Sequence, residues 1–300
     1  MQQFEYNLED NIWQLHQELK NKIYQHSNYI SFYITDPKLR HIHKAEVKDR
    51  IVHHALFRIL YPIFDKSFIF NSYSCRINKG THKAVKRLKI FLQKISKNNN
   101  RIAYALKCDI SKFFNSVDQE ILLSIIQRKI KDKNVIWLMK RIIKSYNKGI
   151  PLGNVTSQLF ANIYLNELDQ FIKHKLKIKY YIRYTDDFII VHEDKQYLEN
   201  IIPIIKDFLQ KNLKLNLHPH KIILRKYIQG IDFLGYVLLP YYTILRTKTK
   251  KRMFRKIKEN KLKLNQKLIF RDSFEQFLQS YYGILKHCNS EKIKLELKNI

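Results

Sequence analysis

Two adjacent carboxylates lie between two apolar runs in the second half of the chain. The segment reads Tyr184-Thr185-Asp186-Asp187, and aromatic and β-branched residues flank it, a pattern typical of strand, tight turn and strand. Adjacent carboxylates repel each other, and a divalent cation such as Mg²⁺, held through their oxygens, would remove that conflict. Because Asp is also common in solvated turns, these four residues alone leave a metal site and an ordinary turn open.

A third carboxylate occupies a strand end. Residues 103–109 predict a strand that finishes at Asp109, and a turn over residues 110–116 follows. An isolated Asp in this position usually initiates a turn or a helix. Beside a hairpin that carries two further carboxylates, Asp109 becomes a candidate second metal anchor.

The charge of the chain indicates a polyanionic partner. The 300 residues contain 56 Lys+Arg against 26 Asp+Glu, a net charge of +30, and nucleic acid is the first candidate to neutralise such an excess. Residues 246–263 contain ten Lys or Arg and one acid, which favours a polyanion-binding surface over a solvated face. The frequent Lys, Ile and Asn could also reflect an AT-rich genome, so charge alone leaves the partner open.

The remaining composition predicts a globular protein of the cytoplasm. With 45% hydrophobic residues, the chain can form one large domain or two to three small ones. The first residues predict no secretory leader, and no apolar run approaches membrane-spanning length. Three cysteines without ligand spacing predict reduced thiols in a cytoplasm rather than a zinc site.

Helices and strands that position these residues are predicted from apolar spacing. One helix should bury Ile51, Ala55 and Ile59, and another, capped by Thr81, should bury one apolar face. A capping box at Ser116 should start a third helix. Further helices are predicted over residues 12–23, 134–146, 159–171, 201–209 and from 273, and strands over 213–217 and 231–236.

In this order, the segments resemble a reverse transcriptase from about residue 40 to residue 285. The resemblance rests on the whole set of motifs rather than on the carboxylate turn alone. Its members are Tyr73-Ser74-Cys75-Arg76 with Gly80-Thr81-His82, Asp109 with Phe113-Phe114, Gly153 with Ser157, Tyr184-Thr185-Asp186-Asp187, Lys221, and Phe233-Leu234-Gly235-Tyr236.

Within that family, the chain is most similar to the enzymes of diversity-generating retroelements. Most reverse transcriptases have Gln before the glycine and Pro after the serine of the motif at residues 152–158, whereas this chain has Leu152 and Gln158. In the retroelement group such a substitution accompanies error-prone copying of template adenines. Exchanging an amide for an aliphatic group under the nascent base pair would change how tightly the templating base is held.

The resemblance implies an α+β fold in the shape of a right hand. Its fingers and palm, an antiparallel sheet plus helices, would span residues 41–240. A basic, small helical thumb would span residues 241–300, and residues 1–40 would form an N-terminal helical extension.

The resemblance also implies the site residues and the partners. The enzyme would use two Mg²⁺ ions, or Mn²⁺ in their place. It would extend a DNA or RNA primer on an RNA template with dNTPs. The protein would be encoded by a bacterium or a phage and would act in the cytoplasm, without a membrane. A small basic oligomeric accessory protein would assist it. The catalytic residues would be Asp109, Asp186, Asp187 and Lys221; the metal ligands Asp109, the Ile110 carbonyl, Asp186 and Asp187; the nucleotide-binding residues Arg76, Phe114, Leu152, Gly153 and Gln158; and the primer- or template-binding residues Phe233, Leu234, Gly235, Tyr236, Lys250, Lys251, Arg252 and Arg255.

Alternatives stay open at two levels. Phe114 could be a core residue and Lys221 a surface lysine. The whole chain could be a group II intron-like, retron-like or phage-defence polymerase without adenine mutagenesis, or an inactive RNA-binding scaffold.

Overall fold

The structure, a computed structural model, describes residues 2–298 and confirms the predicted α+β class. Within that range twelve α-helices and nine β-strands form. The helices are α1 (Gln2–Tyr6), α2 (Leu8–Lys20), α3 (Val47–Asp65), α4 (Thr81–Ile95), α5 (Phe113–Ser116), α6 (Gln119–Lys129), α7 (Lys133–Lys144), α8 (Val155–Gln170), α9 (Lys195–Leu213), α10 (Thr247–Asn265), α11 (Arg271–Leu285) and α12 (Glu291–Lys298). The strands are β1 (Ile30–Ile34), β2 (Arg40–Lys44), β3 (Tyr104–Asp109), β4 (Tyr181–Tyr184), β5 (Asp187–His192), β6 (Ile223–Lys226), β7 (Ile231–Phe233), β8 (Tyr236–Leu238) and β9 (Thr243–Leu245).

The strands form three sheets. β1 and β2 make an antiparallel hairpin, the order β4-β5-β3-β6 makes a four-stranded sheet, and β7-β8-β9 make an antiparallel three-stranded sheet. β3 pairs antiparallel with β6, Tyr104 opposite Lys226 and Lys107 opposite Ile223. The β1–β2 hairpin was not predicted, because residues 1–40 were expected to form a helical extension, whereas β1 lies within them.

The chain divides into two compact units that interleave in sequence. The first contains the residues up to 78, 108–188 and 200–222, and the second contains 79–107, 189–199 and the residues from 223 on. The predicted domain boundaries after residues 40 and 240 stay a prediction.

The first unit is built around α8. Its side chains are buried almost all round, and α3 and α6 pack on it. For α3 the predicted face was wrong by one position, since Ile51 and Ile59 are exposed and Val52 and Leu56 are buried. The buried face of α3 also contains Asp49, which the sequence would place outside.

Two local predictions in the first unit were wrong. The N-cap of α6 is Asp118, whose carboxylate accepts from the amides of Glu120 and Ile121, and not Ser116. No strand forms over residues 213–217: Leu213 ends α9, and Leu217 makes a single bridge to Ile110.

In the second unit, α4 buries Ala84, Val85, Leu88 and Leu92 as its spacing predicted. Thr81 is its first residue, and the N-cap is Gly80. The predicted strand over residues 231–236 is a hairpin, because β7 ends at Phe233 and β8 begins at Tyr236. The basic helix α10 packs on α11. Between residues 2 and 298, none of the helices combines the length and the apolar character needed to cross a bilayer.

Candidate active site

The carboxylate turn lies between β4 and β5, as predicted. Both strands are largely buried, because their aromatic and β-branched residues pack in the core of the sheet. Thr185 holds the turn with a φ of 54°, a left-handed conformation that is uncommon for a residue with a branched side chain. Asp186 follows directly and is followed by Asp187, the first residue of β5.

Asp109 lies beside Asp186 in the first unit. Asp109 ends β3, and the amide of the next residue, Ile110, donates to the carbonyl of Asp186 at 3.2 Å. Burial, and then the charge of Asp109, raise the pKa of Asp186. The ionised form of this carboxylate is therefore disfavoured in the folded protein unless a positive charge compensates it.

Lys221 supplies one such charge. It ends a short 3₁₀-helix, Pro219–Lys221, and its Nζ lies 2.8 Å from Oδ1 of Asp109. The amide of His218 donates to the carbonyl of Asp109 at 2.8 Å, which ties this segment to the strand end. The structure thus brings together Asp109, Asp186 and Lys221, three residues that the sequence predicted as one site.

Asp187 is the first residue of β5 and is partly buried. Burial and then the charge of Asp187 raise the pKa of the buried Cys108 thiol to about 12. Asp187 thus acts electrostatically on Cys108, the residue that precedes Asp109.

The donor set fits a hard divalent cation. Mg²⁺ is usually held by one or two carboxylates together with substrate phosphates and water, and Asp109 and Asp186 supply such a pair. In the described part of the chain, no three His, Cys, Asp or Glu side chains are gathered tightly enough to hold a metal ion by themselves.

Arg76 does not join this group. Its Nε donates to Asp65 at 2.6 Å, its Nη1 donates to the carbonyls of Ile69 and Ser72, and its side chain is 6% exposed. These contacts brace the loop in front of Ser74. The predicted contact between Arg76 and a triphosphate stays a prediction.

The predicted nucleotide-binding segment packs on β2. The carbonyl of Leu152 accepts from the amide of His43 at 2.8 Å. Gly153 has a φ of 121°, and a Cβ there would lie 2.8 Å from Cγ2 of Ile42. Gln158 is exposed on α8, and Phe114 is half-buried with its ring 5.4 Å from that of Phe113.

Sequence reasoning missed Lys38. This exposed lysine lies in the connection between β1 and β2, and its charge lowers the pKa of Asp186 against the larger effects that raise it. The alternating Ile30, Phe32 and Ile34 ahead of Asp-Pro could have predicted the hairpin, and with it a lysine placed near the carboxylates.

The predicted primer- and template-binding residues belong to the second unit. Phe233 is buried at the end of β7, and Leu234 and Gly235 form the turn to β8 with positive φ angles. On α10, a groove is lined by basic side chains together with one aromatic ring. Its lining residues are Thr247, Lys250, Lys251, Phe254, Arg255 and Lys258.

Known proteins are similar to this chain in sequence. Protein YkfC of Escherichia coli (strain K12) is 27% identical over 67% of the chain, and the group II intron-encoded protein LtrA of Lactococcus lactis subsp. cremoris is 25% identical over 76%. The matches cover 64% and 49% of those proteins, so the chain spans less than two thirds of either.

Solved structures support the fold. Apo telomerase from Candida tropicalis superimposes with a TM-score of 0.57 at 14% identity, over 76% of this chain and 50% of that one. Telomerase from Candida albicans with a TWJ fragment of telomeric RNA gives 0.54 at 12% identity, over 80% and 52%. At this identity the likeness concerns the fold alone, and it supports the predicted polymerase architecture.

The profile of a protein family matches residues 35–238, and the description of that family is "Reverse transcriptase (RNA-dependent DNA polymerase)". The match confirms the predicted family and enzyme class. Because it spans more than half of the chain and includes Asp109, the Asp186 turn and Lys221, the chain belongs to the reverse transcriptase family.

Proposed function

We propose that this protein extends a primer on an RNA template by metal-dependent nucleotidyl transfer, with Asp109 and Asp186 as the metal ligands. The observation that carries the proposal is the pairing of these carboxylates, joined through the Ile110 amide, with Lys221 at 2.8 Å from Asp109. Reverse transcriptases as a family use divalent ions such as Mg²⁺. Bound Mg²⁺ would acidify the primer 3′-hydroxyl and offset charge on the triphosphate.

The protein's own groups would act around that centre. Lys221 is about half-exposed and lies 2.8 Å from Asp109, where it would act as a general acid toward the leaving pyrophosphate. Lys38 adds positive charge near Asp186, where it would attract a triphosphate. The Ile110 carbonyl is proposed as a further ligand, and Asp187 as support for the site from the start of β5.

The remaining binding roles are proposed from position. Phe114 would exclude a ribose 2′-hydroxyl, Leu152, Gly153 and Gln158 would contact the nascent base pair, and the β7–β8 turn would hold the primer end. The basic groove on α10 would bind the template–primer duplex through its phosphates, largely without sequence preference.

For the biological task, we propose error-prone copying in a diversity-generating retroelement, with a small basic accessory protein. Support comes from Leu152 and Gln158 in place of the usual Gln and Pro. The alternative is a group II intron-like polymerase without adenine mutagenesis, which is favoured by the similarity to the group II intron-encoded protein LtrA.

Primer extension on an RNA template tests the activity. The wild type, Asp186→Ala and the control Asp207→Ala are compared with Mg²⁺ and with EDTA; Asp207 is an exposed carboxylate on α9 paired with Lys211. Metal-dependent product from the wild type and the control, but not from Asp186→Ala, is expected. Equal product from Asp186→Ala, or product in EDTA, would overturn the assignment of the site.

Sequencing the cDNA separates the two tasks. Errors concentrated at template adenines, and reduced in Leu152→Gln, would support the retroelement task. A uniform, low error rate would support the group II intron-like alternative. RNA binding without extension, even with the cognate RNA and a candidate accessory protein, would leave only an inactive scaffold.

A further inference from the structure

A buried ion pair lies directly beneath the carboxylate turn. Arg183 of β4 and Asp169 of α8 both have fully buried side chains, with Nε donating to Oδ1 at 2.7 Å and Nη2 donating to Oδ2 at 2.6 Å. The hydroxyl of Tyr181 also donates to Asp169, at 2.7 Å. Asp169 therefore accepts three hydrogen bonds, and its charge is compensated in the core.

The remaining guanidinium nitrogen of Arg183 reaches the turn itself. Nη1 donates to the carbonyl of Thr185 at 3.0 Å and lies 3.3 Å from Oδ1 of Asn162. The Thr185 hydroxyl donates to Oγ of Ser74 at 2.6 Å, and Asn162 donates to the carbonyl of Ser74 at 2.9 Å. Thr185, in its left-handed conformation, is thus held both through its carbonyl and through its side chain.

The backbone of Arg183 is fixed as well. Its amide donates to the carbonyl of Asn71, and its carbonyl accepts from the amide of Tyr73, both at 3.0 Å. Because these hydrogen bonds hold the backbone of Arg183 in place, its side chain contacts Thr185 from a fixed position. That contact in turn restricts the backbone conformation that leads into Asp186.

Stability alone does not account for this pair. Apolar residues of similar volume often replace a buried ion pair at no cost in stability, whereas removing one partner leaves a buried charge and is strongly destabilising. An apolar substitute could fill the space but could not donate to the Thr185 carbonyl.

We infer that Arg183 and Asp169 are positioning residues that hold the Thr185 turn and thereby direct the Asp186 carboxylate toward Asp109. Neither residue touches the reacting atoms. The inference rests on the proposed polymerase function for its catalytic consequence, but its structural claim concerns the turn alone.

The test compares Arg183→Met, Asp169→Leu and the double variant with the wild type. Arg128→Met, which removes an exposed ion pair between α6 and α8, is the control. Thermal unfolding measures stability, and hydrogen–deuterium exchange of the metal-free protein measures the protection of residues 184–187. Electron paramagnetic resonance measures the affinity of the metal site for Mn²⁺. Primer extension gives kcat and KM. Arg183→Lys, which keeps the charge without the planar fork, serves if the larger changes prevent folding.

We expect each single variant to lose stability and the double variant to regain it. The double variant should nevertheless exchange faster in the turn, bind Mn²⁺ more weakly, and show a kcat reduced about 10- to 100-fold at nearly unchanged KM for the duplex. Wild-type exchange in the turn, or a kcat that returns together with stability, would overturn the inference. An inactive wild type would count against the polymerase function instead, since the exchange measurement needs neither metal nor substrate.

Discussion

Asp186 is held where its charge is unfavourable for folding. Burial and the neighbouring Asp109 raise its pKa, so the ionised form that a cation requires destabilises the metal-free protein. We expect Asp186→Asn to melt at a higher temperature than the wild type in EDTA and to lose primer extension about a hundredfold or more. Thermal unfolding with EDTA or Mg²⁺ checks this expectation, and Mg²⁺ should stabilise only the wild type.

Asp207→Asn is the matched control for that experiment, because Asp207 is exposed and pairs with Lys211. It should melt and extend primers like the wild type in both buffers. An Asp186→Asn variant that is less stable than the wild type in EDTA would contradict the idea that function places a destabilising charge here.

At the residue scale, the sequence indicates candidate site residues where the chemistry is local in the chain. Asp186 and Asp187 are adjacent in the chain, and Asp109 and Lys221 each lie at the end of a short, recognisable segment. Arg183 escaped notice because its partner Asp169 is fourteen residues away on another element, and single-sequence patterns do not show such pairing. Likewise, the engagement of Arg76 with Asp65 depends on how α3 ends.

At the scale of elements, the loop before α8 requires a glycine. Gly149 has a φ of 73°, and a Cβ there would lie 2.2 Å from the carbonyl oxygen of Phe114. Gly149→Ala should therefore cost roughly 2 kcal/mol or more in unfolding free energy and lower turnover by displacing Phe114. Gly283 lies inside α11 with open space around it, so Gly283→Ala should instead stabilise by about 0.5–1 kcal/mol. Denaturant unfolding measures both variants, and equal effects would contradict the steric argument.

The segment before β1 is joined to α3 by a histidine pair. Nε2 of His26 lies 3.1 Å from Nε2 of His53, and burial, then the charge of His26, lower the pKa of His53 to about 4. Protons therefore bind preferentially to the unfolded chain, and stability should fall as pH drops from about 6.5 to about 4, by up to roughly 3 kcal/mol.

His53→Gln should flatten this part of the pH–stability curve, whereas substitution of its exposed neighbour, His54→Gln, should leave it in place. Urea unfolding between pH 4 and 7 distinguishes the two. If both variants keep the wild-type slope, the acid sensitivity originates elsewhere in the protein.

α3 illustrates why helices are easier to predict than the faces they bury. Apolar residues occur on two neighbouring stripes, and the spacing of Ile51, Ala55 and Ile59 is as regular as that of Val52, Leu56 and Leu60. The buried stripe also contains Asp49 and His53. Because these residue types are usually exposed, the sequence argues against burial of this face. Tertiary partners that include Tyr24 and His26 make their burial favourable, because buried polar groups need hydrogen bonds. Sequence periodicity does not contain that information.

At the scale of the whole molecule, the dominant property is a net charge of +30. Such an excess repels itself and favours any arrangement in which a polyanion is bound. The two-carboxylate site is therefore a small negative centre in a strongly positive protein, a distribution that suits a nucleic acid held along its backbone and a metal ion held at one point.

The basic groove on α10 should account for a defined part of that binding. Lys251 and Arg255 line the groove and are exposed. If each neutralises one phosphate, the double variant Lys251→Ala/Arg255→Ala should reduce the slope of log Kobs against log salt by about 2, with a uniform loss of affinity across sequences. Fluorescence anisotropy of an RNA–DNA duplex over about 50–200 mM salt, where phosphate contacts strongly affect affinity, measures that slope. Lys211→Ala on α9 removes one exposed lysine that does not line the groove, so its slope should match the wild type. An unchanged slope in the double variant would place the duplex on another surface, because a contact that releases no counterion is not a phosphate contact.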